Sequence, residues 1–297
     1  MATPHSPKES HTLNILQINL QRSKAASTEA LQMVQDLKVD ILVIQEPYVY
    51  NKKIAMLGNN KIHNTITSDN RIKTGIIAYN NSIMTQLIAQ HSNNYFTTVK
   101  VDTRDDGIYI ISFYCSPDED LTHPLDLLSL TMEQLKGNKV IVMGDFNAKS
   151  HLWHSPKEDP RGYKLCELIA AFSLTSLNDS PLPTFSTVLG DSWVDVCLGN
   201  PNLLKQNITC NTIDKVSASD HNYILTSIEI GEVGGRCKII NITNWELYKL
   251  CLADLWRPEP LIDIKKGEEL EKIVNVLTDT IHRAYHMATC IKVKKSV

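Results

Sequence analysis

Short, uninterrupted apolar runs constrain this chain more than any other feature. Ile41–Ile44 and Val140–Met143 contain no polar residue at all. Runs this short and this rich in β-branched residues read as strands covered on both faces, with no side left for water. Leu13–Leu20, Gly75–Tyr79, Tyr95–Val101, Ile108–Tyr114, Trp193–Leu198 and Tyr223–Ile230 are further strand candidates, the last with Ile224, Ile228 and Ile230 on one face. Between them the period changes to that of a helix. Ala30, Met33, Val34 and Leu37 follow it, as do Leu125, Leu128, Met132 and Leu135 behind Thr122 as candidate cap and Pro124 in the first turn. A third helix is expected over Tyr163–Phe172. This alternation, from Leu13 to about Ile230, predicts a layered α/β domain. At 297 residues and 42% hydrophobic, the chain can bury a two-layered core and still carry a small appendage.

The ends read differently. Residues 1–12 are polar, contain Pro4 and Pro7, lack the apolar run of a signal peptide and are expected to be a disordered arm. Residues 231–240, opening Gly231-Glu-Val-Gly-Gly235, are expected to be a linker to a purely helical tail over 241–297. There Thr243 and Glu246 form a candidate capping box ahead of Trp245, Tyr248, Leu252 and Leu255. Leu270, Ile273, Val274, Leu277, Ile281, Ala284 and Tyr285 share one stripe, which is read as a packing face. No stretch approaches the roughly 20 apolar residues of a membrane helix, so no membrane partner is expected. The seven cysteines are odd in number and form no C-x-x-C pair; they are read as reduced thiols of an intracellular protein. A net charge of −3 argues against a generally basic nucleic-acid surface, although a local basic face or a metal can still draw in phosphate.

The chemistry sits where the apolar runs stop. Asn19 ends the first strand, Glu46 follows the second, Tyr114 ends Ile108–Tyr114, Asp145 and Asn147 follow Val140–Met143, and Asp220 and His221 precede the last strand. Loops converge over strand ends in layered α/β proteins, so these groups are expected in one cluster. Their types suit phosphodiester hydrolysis. Glu46, with Asn19 beside it, offers hard oxygen donors for Mg²⁺. Asp145 is placed to orient or deprotonate a water. Asn147, two residues on and pointing the same way in an extended chain, is placed to donate to phosphate. His221 would donate to a phosphoryl oxygen if it is cationic, which a buried carboxylate beside it favours; Asp195, in an apolar strand, is the candidate. His151 and His154, near Trp153, are read as surface-loop residues in preference to metal ligands. Arg161 is left between a phosphate contact and a salt bridge.

Gln45-Glu-Pro47, Gly144-Asp-Phe-Asn-Ala148, Trp193-Val-Asp195 and Ser219-Asp-His221, in this order, resemble the endonuclease/exonuclease/phosphatase superfamily of DNase-like and apurinic endonucleases. Gln17-Ile-Asn-Leu-Gln21, Tyr114-Cys-Ser-Pro117, Ala148-Lys-Ser-His151 with Trp153, Asp159-Pro-Arg-Gly162, Pro183-Thr-Phe185 and Asn244-Trp245 are similar, more particularly, to the endonuclease domain of non-LTR retrotransposon polyproteins. The resemblance implies a two-sheet α/β sandwich with helices outside, covering residues 13–230. It implies metal-site positions at Asn19, Glu46 and Asp220, a water-orienting Asp145, phosphate contacts from Asn147, Tyr114 and His221, Asp195 as partner of the histidine, and Thr184 on the substrate side. His154 stands where the pattern usually has glycine.

The implied activity is nicking of DNA with Mg²⁺, Mn²⁺ being the alternative ion, to leave a 3′-hydroxyl. The implied partners are DNA and a reverse transcriptase module or the element's RNA–protein complex, and the substrate implies a nuclear location. No reverse transcriptase lies within these residues, so the chain reads as a fragment or as a gene product that kept the front module. Since relatives on this fold cut lipids, inositol phosphates and RNA tails, another phosphodiesterase or phosphatase is the alternative enzyme. A silent DNA-binding remnant, or a partner of a polymerase assembled through the tail, is the non-enzymatic alternative.

Overall fold

Two six-stranded sheets face each other in the computed structural model, which describes residues 11–58, 60–65, 71–103, 107–215, 217–230, 238–256 and 267–294. The first sheet runs, in spatial order, β15 (Ile208–Thr212), β16 (Ile224–Ile230), β1 (His11–Asn19), β2 (Ile41–Gln45), β6 (Thr74–Ala78) and β5 (Lys61–Asn64). The second runs β11 (Thr175–Ser176), β14 (Asp195–Gly199), β10 (Lys139–Asp145), β9 (Ile108–Tyr114), β8 (Phe96–Val101) and β7 (Thr85–Leu87). Each has one parallel pair at its centre, β1 with β2 and β9 with β10, and every other pairing is antiparallel. A parallel pair needs a crossover, and α1 (Lys24–Asp36) and α2 (Thr122–Gln134) supply the two. Two small hairpins, β3 (Val49–Tyr50) with β4 (Lys53–Ile54) and β12 (Phe185–Thr187) with β13 (Gly190–Ser192), complete this part.

Strand alternation builds three apolar layers. Leu13, Ile15, Ile41, Val43 and Ile76 meet Val99, Ile108, Ile110, Ile141, Met143 and Cys197 between the sheets. Leu16, Ile18, Leu42 and Ile44 pack on Ala30, Met33 and Val34 of α1. Ile111, Phe113, Val140, Val142 and Val196 pack beneath α2 and α3 (Pro160–Ala171). At one end of the inner layer the same alternation delivers polar residues: Gln17 and Asn19, Gln45, Thr74, Thr97, Ser112, Asp145 and Asp195, all buried. Some bond across the gap, Gln45 Nε2 to Ser112 Oγ at 3.1 Å and Thr74 Oγ1 to Thr97 Oγ1 at 2.8 Å.

Local chemistry moves several expected boundaries. His11 and Thr12 pair with Ile230 and Glu229, so they belong to β1 and not to an arm; residues 1–10 lie outside the described residues. Thr122 is the first helical residue of α2, and its N–H is taken by Asp120 Oδ1 at 3.3 Å. Helix α3 starts at Pro160, because Asp159 caps it by accepting from Gly162 N at 2.6 Å.

The chain divides into two compact units, Met1–Val233 and Gly234–Val297. The smaller one is not purely helical. Lys238–Thr243 (β17) and Thr289–Lys294 (β18) form an antiparallel pair, with α4 (Trp245–Leu255) and α5 (Gly267–Ala288) between them. Both strands are rich in β-branched residues. Helix α4 is capped by Asn244, whose Oδ1 accepts from Leu247 N at 3.1 Å. On α5, Ala284 is buried while Val274 and Ile281 stay exposed. The glycine-rich stretch 231–235 lies outside the described residues.

Candidate active site

Register brings the predicted groups together. Asp145 is the last residue of β10, directly opposite Asp195 on β14 and Tyr114 on β9. Asn19, at the end of β1, lies across the gap between the sheets and donates through Nδ2 to Asp145 Oδ2 at 2.9 Å. His221, just before β16, donates from Nδ1 to Asp195 Oδ2 at 2.8 Å, and its Nε2 stands 3.9 Å from Asp145 Oδ2. All five are at least 95% buried.

Three ionisable groups without solvent survive only by compensating one another. Burial alone would push the His221 imidazole down. The charge and hydrogen bond of Asp195, with Asp145 and Glu46 behind it, outweigh that and hold its pKa up to about 9. Burial, then the charge of Asp195, pushes the Asp145 carboxyl above the usual carboxylate range, against His221 and the bonds from Asn19 and the Asn147 N–H. Among the described residues, Asp145, Asp195 and His221 form a group whose ligand atoms lie within 4.8 Å of one another. His221 Nε2, facing Asp145 at 3.9 Å while Nδ1 is held by Asp195, suits this group to proton handling and anion contact.

The hard oxygen donors lie at the rim. Glu46 has a left-handed backbone, φ 43°, which breaks the alternation of β2. Its carboxylate meets Arg22 Nη2 at 2.5 Å. Burial, then the charges of Glu46 and Asp145, raises the Tyr114 pKa. Asp220 is exposed and accepts from Gln21 Nε2 at 3.1 Å. Asn19 Oδ1 accepts from Gln21 N at 2.9 Å. The positions expected to hold a metal are therefore linked through the Gln21–Arg22 turn, and two carboxylates with an amide oxygen are donors of the kind that Mg²⁺ takes.

Two expectations change. Asn147 does not extend the strand: its φ is 47°, its N–H donates to Asp145 Oδ1 at 3.0 Å and its Nδ2 to the Cys115 carbonyl at 3.2 Å. The Gly-Asp-Phe-Asn turn that bends it back holds the Asp145 carboxylate as it does so. Thr184, expected on the substrate side, is buried, and its Oγ accepts from the N–H groups of Val194 and Asp195, both at 3.0 Å. This hydroxyl fixes the start of β14.

Several supporting residues carried no role in the sequence reading. Gln17 Nε2 gives Asp195 a second donor at 3.2 Å; its signal was a polar residue on the buried face, two before Asn19. Asn178 clamps the backbone of Asp195 and Cys197, and Phe185 lies edge-on to His221 at 4.9 Å. Arg161 reaches neither open alternative: it donates to the carbonyls of Glu119, Cys115 and Phe146, tying together the loops that carry Tyr114 and Asn147. His151 and His154 are exposed, as expected. His154 has φ 69°, the left-handed geometry that explains a preference for glycine there.

Comparison with known proteins agrees with this geometry. Residues 108–225 match the family described as endonuclease-reverse transcriptase. The chain is 26% identical over 214 residues to a protein of Drosophila melanogaster named probable RNA-directed DNA polymerase from transposon BS, covering 69% of this chain and 22% of that one. It thus spans about a fifth of that relative's length. Among solved structures, the endonuclease domain of TRAS1, a telomere-specific non-LTR retrotransposon, superposes with a TM-score of 0.68 at 28% identity, over 75% of this chain and all of that domain. An AP endonuclease from Leishmania major shares the fold, with a TM-score of 0.58 at 12% identity over 73% of this chain and 88% of that one. Part of the chain thus matches the endonuclease-reverse transcriptase family; as a whole the chain is similar to the endonuclease domain of a non-LTR retrotransposon and shares its fold with AP endonucleases.

Proposed function

We propose that this chain is a Mg²⁺-dependent DNA endonuclease that cuts the P–O3′ bond and leaves a 3′-hydroxyl. The observation that carries the reading is the buried line Asp195–His221–Asp145–Asn19, with oxygen donors at its rim. Asp195 and Gln17 fix the imidazole, so Nε2 presents its proton to a non-bridging phosphoryl oxygen. Asn19 and the Asn147 N–H hold Asp145, which orients a water and accepts its proton as the oxygen attacks phosphorus. Tyr114 donates to the same phosphate. Glu46, Asn19 and Asp220 would hold Mg²⁺, which when bound polarises a phosphoryl oxygen and neutralises charge on the departing O3′. Asn147 would have to exchange its bond to the Cys115 carbonyl for one to phosphate. A free 3′-hydroxyl is what a reverse transcriptase module could extend, and a DNA substrate would imply action in the nucleus.

The test is relaxation of supercoiled plasmid with Mg²⁺ and with EDTA, followed by extension of the nicks by a polymerase and labelled nucleotides. Mg²⁺-dependent open circles that accept label are expected. Intact plasmid at every Mg²⁺ and Mn²⁺ concentration would refute the reading, and nicks that take label only after phosphatase treatment would refute the 3′-hydroxyl.

A further inference from the structure

The turn between β1 and α1 places a cation directly on the carboxylate assigned to the metal. Arg22 Nη2 lies 2.5 Å from Glu46 Oε1, and its side chain is 65% exposed against 16% for Glu46. The guanidinium thus reaches in from solvent to an acid set into the surface. Its backbone is pinned, because Arg22 N donates to the Glu46 carbonyl at 2.7 Å and Ser23, next in the chain, caps α1. Movement of this residue is confined to its long side chain. Beside the pair lies a cleft of about 400 Å³ lined in part by Arg22, Glu46, Pro47, Tyr48, Arg71 and Lys73. Three of these are cationic, and Lys73 is tied to Glu119 at 2.7 Å.

We propose that Arg22 is a displaceable counter-ion. It neutralises Glu46 until a divalent cation takes that carboxylate, and it then turns into the cleft to hold a nucleic-acid backbone phosphate beside the scissile one. This rests on the reading of Glu46 as metal ligand and of DNA as substrate. A guanidinium and a dication compete for the same carboxylate lone pairs and repel each other at contact distance. An ion pair this open to solvent is weak, so the exchange runs toward the metal. A phosphate offers the displaced guanidinium a planar, two-pronged partner of opposite charge.

The experiment uses the full chain as wild type, Arg22→Gln, Glu46→Gln and the double variant. Mn²⁺ affinity is read without DNA, from the electron paramagnetic resonance signal of the unbound ion. Affinity for a fluorescein-labelled DNA duplex is read by anisotropy in EDTA. Arg22→Gln should bind Mn²⁺ about two- to five-fold tighter, the scale of a partly exposed ion pair, while Glu46→Gln loses most Mn²⁺ binding. In EDTA, Glu46→Gln should bind the duplex tighter than wild type, and most of that gain should vanish in the double variant, which has no guanidinium to release. Unchanged or weaker Mn²⁺ binding in Arg22→Gln, with Glu46→Gln impaired, overturns the displacement and leaves the metal site standing. A gain that persists in the double variant overturns the phosphate role. Wild type and Glu46→Gln binding Mn²⁺ alike, or no variant binding duplex, brings down the underlying reading of Glu46 or of DNA, and the proposal with it.

Discussion

Asp145 and Asp195 stand opposite each other across the β10–β14 pair, and the imidazole of His221 is the cation that lets them do so. Two buried carboxylates at one register step repel. Asp195 takes the direct bond to Nδ1, while Asp145 keeps 3.9 Å from Nε2. That leaves Asp145 and Nε2 for a substrate.

Removing either of those two groups should separate chemistry from binding. Asp145→Asn keeps the shape and His221→Ala removes the donor. A positioned acid or base is worth about 10²–10⁴-fold in rate, so nicking should fall by that much while a gel-shift assay still shows DNA bound. Nicking within a few-fold of wild type in Asp145→Asn would sink the mechanism.

The pH profile should be a bell whose limbs belong to the same pair. His221 works protonated, a form present below its pKa of about 9 and lost above it. Asp145 works ionised, a form lost as pH falls through its raised pKa. Asp195→Asn removes the carboxylate that raises both, so both limbs should move to lower pH and activity at pH 8 should drop more than at pH 6. An alkaline limb still near pH 9 in that variant would show that another group sets it.

Two glycines should resist replacement for steric reasons. A Cβ on Gly162 would lie 1.9 Å from the Lys149 carbonyl oxygen, and one on Gly144 would lie 1.9 Å from that of Phe113. Backbone must move to admit either. Gly162→Ala and Gly144→Ala should each cost at least about 1–3 kcal/mol in urea unfolding. Gly137, with nothing within 4 Å but a φ of 87°, is the comparison: alanine there meets strain without a clash and should cost less.

The smaller unit is proposed to be dispensable for cutting. The inner and outer apolar layers of the sandwich are assembled entirely from residues before 231. A chain ending at Val233 should fold and nick plasmid at near the full-length rate. Insolubility of that shortened chain, or inactivity when soluble, would place residues 234–297 in the nuclease's working structure.

The sandwich was legible because both faces of its central strands are covered. Ile41–Ile44 and Val140–Met143 announce themselves by having no polar face. The site was legible because its groups lie at strand termini: Asn19 and Asp145 end β1 and β10, Asp195 opens β14 and His221 precedes β16. The short strands were not, since Thr175–Ser176 or Lys61–Asn64 are set by their partners and carry too few residues for a period. Nor was the reversal at Asn147, which depends on a turn geometry that four residues of composition do not specify. Arg161 was undecidable in sequence because its partners are backbone carbonyls, which leave no trace in residue identity. In the tail, helical spacing over Trp245–Leu255 hid the strand pair on either side of α4 and α5.

Asn19 and Glu46 rise from one sheet, Asp145 and Tyr114 from the other, and what separates the sheets is the apolar layer of Ile15, Val43, Ile110 and Met143. That layer is therefore a ruler. Its thickness sets the span from the Asn19 amide to the Asp145 carboxylate. Under the proposed mechanism, core side chains that never meet the substrate would set the distance between the groups that do.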